Sequence, residues 1–131
     1  MYIHLKIISI FLMSLALLHV GFPKYFNWKK ELSSLSLINK QMMEVHTFFI
    51  ALLVFLIGVL CFSATAEILH TSLGKKVSFG LGIFWLIRLF FQFFVYSSKL
   101  WKGKTFETIM HILFTAFWLY LSSVFFIISL N

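Results

Sequence analysis

Four stretches of the chain are almost wholly apolar, with short polar pieces between them, over about 3–21, 45–69, 77–96 and 106–130. A helix needs about 20 mostly apolar residues to cross a bilayer core, and strands are far shorter. Each stretch therefore predicts a transmembrane helix. The links span 22–44, 70–76 and 97–105. Short links make successive helices antiparallel neighbours. The expected architecture is all-α, an integral membrane four-helix up-down bundle forming a single transmembrane domain over residues 1–131.

The longest link is not plain. Phe22, Tyr25, Phe26 and Trp28 stand among Lys24, Lys29 and Lys30. Amphipathic rings beside ammonium groups suit the headgroup level, which predicts an interfacial first loop containing a short helix or turn. Pro23, the only proline, is expected to mark where the first span stops, and Ser34 or Ser36 to cap an extension of the second helix. The first stretch also has the general form of a signal peptide. The residues that follow it, Gly21 to Phe26, offer no small-x-small cleavage site, so an uncleaved span is expected.

Polar residues interrupt the spans at helical spacing. Trp85, Arg88, Gln92, Tyr96 and Lys99 share one face of the third span, and Glu107, His111, Thr115, Trp118 and Ser122 share one face of the fourth. Two polar stripes on neighbouring antiparallel helices are expected to face each other. Arg88, the only arginine, is the most informative residue. Its charge cannot be shed, so at membrane depth it needs a partner, water or a cavity.

Topology delivers further polar groups to the same level. His19 ends the first span, and Glu44 and His46 open the second. The candidate constellation is therefore His19, Glu44, His46, Arg88, Gln92, Tyr96, Glu107 and His111. Glu44 and His46 lie about 200° apart around a helix, so both cannot point inward. His46 shares a face with Ile50, Leu53, Ile57 and Leu60, which is expected to form the inner stripe, leaving Glu44 near the headgroups.

Composition agrees with the pattern. Hydrophobic residues make up 61% of the chain and charged residues 11%, with a mean hydropathy of +0.98. That leaves too little polar surface for a water-soluble domain. The net charge of +7 comes from lysines in the links, a membrane-flanking distribution rather than a nucleic-acid patch. Lys24, Lys29, Lys30, Lys40, Lys99, Lys102 and Lys104 lie on one side, and Lys6, Lys75 and Lys76 on the other, seven against three. The richer side is expected in the cytoplasm, with both termini outside. The general look resembles small four-span bacterial membrane proteins, so the bacterial inner membrane is the expected location. Cys61 is the only cysteine, so no disulfide forms within the chain.

Histidines with a carboxylate at one depth are ligand types suited to a transition metal or to haem. His46, His111, His19 and Glu107 are the candidate metal ligands. Arg88, Gln92 and Tyr96 would hold an anion or a haem propionate. Glu107 and His111 lie one helical turn apart, and Met42 or Met43 offers a thioether instead. This reading implies a redox-related role. The alternatives are a non-catalytic accessory or structural subunit whose polar cluster fixes helix packing, and a small permease or proton path. No nucleophile–base triad, P-loop or dinucleotide fingerprint occurs, so no catalytic residue is expected. Glu67 and His70 read as interfacial polar residues. Ser78 and Gly82, four apart, allow close helix approach, either within the monomer or with itself or another membrane subunit.

Overall fold

A computed structural model describes residues 1–131, apart from the Ser98 side chain. The fold is all-α. Its helices are α1 (Tyr2–Tyr25), α2 (Trp28–Glu31), α3 (Leu37–Ser63), α4 (Thr65–His70), α5 (Ser72–Phe94) and α6 (Thr105–Leu130), with a 3-10 turn at Ser98–Leu100. Four of them, α1, α3, α5 and α6, are long and apolar enough to cross a membrane. The chain divides into two compact units, Tyr2–Thr65 and Ala66–Asn131.

In the first unit α1 and α3 pack antiparallel. The Lys6 ammonium near the start of α1 donates to the Phe62 carbonyl near the end of α3. Leu5, Ile8, Leu12 and Leu15 are buried on α1, together with Ser9 and Ala16. Ala51, Val54, Gly58 and Cys61 are buried on α3. Gly58 marks a close approach, because a Cβ placed there would lie 2.8 Å from Met13 Cγ and 3.0 Å from the Ser9 carbonyl oxygen. This corrects the expected inner stripe of α3. His46, Ile50, Leu53 and Leu60 are exposed and Ile57 is half-buried. Between helices in lipid, close packing of small residues drives association, since large apolar side chains are equally well solvated by acyl chains.

Two helix ends also depart from expectation. Pro23 does not stop α1, which continues to Tyr25. A proline in the last turn forfeits a single backbone bond, here to the His19 carbonyl. The turn ends instead at Asn27, whose φ of 53° is left-handed, a conformation asparagine tolerates better than most residues. The second span, expected to run on to 69, breaks at Ala64 (φ −114°, ψ 33°). Just beyond it, the buried Thr65 hydroxyl bonds the carbonyls of Cys61 at 2.7 Å and Phe62 at 3.1 Å. Such side-chain bonds compete with the helical ladder. Ser36 does occupy the position before α3, though its side chain makes no capping bond.

In the second unit α5 and α6 pack antiparallel, as the short link between them requires. Ser122 Oγ donates to the Gly82 carbonyl at 3.2 Å, and Lys75 Nζ donates to the Asn131 carbonyl at 2.9 Å. Gly82 lies against Phe126, and Ser78 on the same face is fully buried. The small-residue spacing thus serves packing within this unit. Thr71 caps α5 by accepting from Gly74 N at 2.9 Å.

Candidate functional site

The polar stripes of α5 and α6 meet as expected. Gln92 is their hinge point. Its Oε1 accepts from Arg88 Nη1 at 3.3 Å. Its Nε2 lies 3.1 Å from His111 Nδ1 and 3.3 Å from the His111 carbonyl oxygen. Because Arg88 can only donate, Gln92 must present its oxygen to Arg88 and its amide N–H groups to His111. That orientation makes His111 Nδ1 an acceptor and places the proton of the neutral ring on Nε2, an assignment made from the bonding network. The Thr115 hydroxyl also bonds the His111 carbonyl, at 2.7 Å.

Aromatic rings frame this chain of bonds. Trp85 and Trp118 stack with centroids 5.0 Å apart and planes 6° from parallel. Arg88 Cζ lies 5.0 Å from the Trp118 ring and 5.2 Å from the Tyr96 ring, within cation–π range. The His111 imidazole stacks on Trp101 at 4.5 Å, and Thr108 Oγ1 donates to the Trp101 carbonyl at 2.6 Å. Trp101 escaped the sequence reading because it lies in the 95–104 link, where no helical period relates it to His111.

The remaining candidates are not drawn into this network. Glu107 is exposed and makes no hydrogen bond to His111, although one turn separates them. In the other unit, His19 Nδ1 donates to the Leu15 carbonyl at 2.8 Å and its ring lies 4.7 Å from Phe22. Glu44 is exposed. His46 is exposed too, correcting its expected inward orientation. The reason is the seam described above: the packed face of α3 follows its small residues, and His46 lies off it. Met42, Met43, Glu67 and His70 are likewise exposed. Among the described residues, no three His, Cys, Asp or Glu side chains come together to hold a metal ion.

Four span-length apolar helices define a small multi-pass membrane protein whose environment is the lipid bilayer. Comparison with known proteins finds no matching family model, curated protein or solved structure.

Proposed function

We propose that the chain is a non-catalytic accessory or structural membrane subunit, in which the polar residues fix helix packing. The Gln92 bridge carries this reading. It uses both ends of one amide to tie Arg88 on its own helix to His111 on the neighbouring helix. The resulting tautomer also speaks against His111 as a ligand. A histidine binding metal through Nε2 needs that nitrogen unprotonated and a hydrogen-bond acceptor at Nδ1–H, the reverse of what Gln92 imposes.

Gln92→Leu removes the bridge and leaves His111 Nδ1 without its donor. Interhelical polar contacts in membranes contribute roughly 0.6 kcal/mol each, up to about 1.7. The expected loss for Gln92→Leu is about 1–2 kcal/mol in SDS-induced unfolding, with no bound species released. His111→Ala should behave similarly. A haem absorption band or stoichiometric metal in the purified protein, lost on changing His46 or His111, would replace this reading with a cofactor site. Liposome flux abolished by Arg88→Gln or Glu107→Gln would replace it with a permease or proton path.

The lysine distribution supports placing both termini outside the cytoplasm of a bacterial inner membrane. Alkaline phosphatase fused after Asn131 is then active and a fluorescent protein fused there is dark. The opposite pair of results would invert the orientation.

A further inference from the structure

Arg88 is incompletely satisfied. A guanidinium offers five N–H donors, and among the described residues one hydrogen bond, to Gln92 Oε1, is made. Neither carboxylate of its own unit, Glu67 or Glu107, pairs with it; both are exposed. The faces of Tyr96 and Trp118 also lie beside it; they stabilise a cation but accept no in-plane N–H. Trp118 adds to the imbalance. It is 5% exposed, and its Nε1–H, like that of Trp85 stacked on it, is buried without a partner among the described residues. A charged group inside a span tends to be held by an opposite charge, water or carbonyl oxygens.

The direction in which Arg88 extends says where the missing acceptor lies. Helical side chains ordinarily lean toward the N-terminus of their helix. The Arg88 guanidinium, however, lies 5.2 Å from the ring of Tyr96, which stands beyond Phe94, the last residue of α5. It snorkels toward the membrane face at the end of α5, where about 9 Å of helix separates Arg88 from Phe94. The 95–104 link beyond carries Lys99, Lys102 and Lys104 with no acidic residue. Positive charge in the link that follows a span suits the headgroup level, and Tyr96 beside the guanidinium is an aromatic residue of the kind found there. The planar fork of a guanidinium matches the tetrahedral oxygens of phosphate in bidentate fashion.

We propose that Arg88 holds a phosphate oxyanion at the end of α5, with Tyr96 and Trp118 flanking the guanidinium and Gln92 fixing its orientation. The phosphate comes from a lipid headgroup or from solution; the chemistry of recognition is the same.

The single arginine makes the test site-specific without any substitution. Full-length protein carrying 13Cζ-arginine is reconstituted in phosphatidylglycerol vesicles in phosphate-free buffer, and separately in phosphorus-free glycolipid vesicles with added inorganic phosphate. Solid-state 13C–31P dipolar dephasing then reports direct contact. Dephasing in the first sample identifies a lipid phosphate as the ligand, and dephasing in the second alone identifies a soluble one. Absence of dephasing in both overturns the proposal, whatever becomes of the packing role of Gln92. As a second measurement, phosphatidylglycerol added to detergent-purified protein is expected to raise the unfolding midpoint of wild type. Arg88→Gln should lose at least half of that rise, and Arg88→Lys should keep part of it, since an ammonium still attracts phosphate. An equal rise in wild type and Arg88→Gln would count against the site.

Discussion

Replacing Gly58 with leucine is expected to prise α1 from α3 and open Cys61 to thiol reagents. Even a methyl group at position 58 would lie 2.8 Å from Met13 Cγ, 3.0 Å from Ser9 O and 3.2 Å from Met13 N. The Met13 side chain can move aside, but the other two atoms belong to the α1 backbone. An isobutyl group must therefore push the helices apart. Overpacking of a tight interface costs about 1–3 kcal/mol and sometimes more. The penalty should sit at the upper end here, because lipid supplies no hydrophobic force to press the separated helices together again. Cys61 is fully buried, one turn along the same face. In wild type it should react with maleimide only after SDS unfolding, whereas in Gly58→Leu it should react in the folded state. Gly58→Ala should fall between them. Equally slow labelling in wild type and Gly58→Leu would show that Gly58 is not where these helices meet.

Trp118→Ala is expected to be the most damaging single truncation in the α5–α6 pair. The ring stacks on Trp85, lies 5.6 Å from Phe114 and 5.2 Å from Phe117, and carries Arg88 at 5.0 Å. Truncating a buried tryptophan to alanine costs about 3–5 kcal/mol, from lost contacts and from the cavity left behind. Losing the cation–π contact exposes Arg88 further. The check is the SDS fraction at half-unfolding, together with near-UV circular dichroism, in which the parallel Trp85–Trp118 pair should contribute a signal that disappears. Trp118→Phe should recover more than half of the stability. It keeps an aromatic face and removes an Nε1–H that is buried without a partner among the described residues. If Trp118→Ala unfolds where wild type does, the stack is not a source of stability.

These two residues differ in how visible they were beforehand. Trp118 was legible. It falls in register with His111, Thr115 and Ser122 on one face of the fourth span, and the short 97–105 link obliges that face to meet the stripe of Arg88 and Gln92. Gly58 was not. In a soluble helix the most apolar face turns inward, and that habit favoured the stripe of His46, Ile50, Leu53, Ile57 and Leu60. In a bilayer the large apolar face is equally content against lipid, so hydrophobicity does not mark the seam. The small residues Ala51, Gly58 and Cys61, with Val54, mark it instead. Trp101 was hidden for another reason, since a residue in a link is tied to its neighbours by no period.

The amino-acid sequence alone determined the all-α class, the four span-length helices and the meeting of the α5 and α6 stripes. Each follows from chain-local physics: a bilayer demands long apolar helices with satisfied backbones, and a short link forces antiparallel neighbours. The tertiary structure decided which face of α3 packs, which partners Gln92 takes and how far Arg88 is left wanting an acceptor. Those depend on how closely two backbones can approach at a given residue and on which donor meets which acceptor across two helices, quantities that no periodicity encodes.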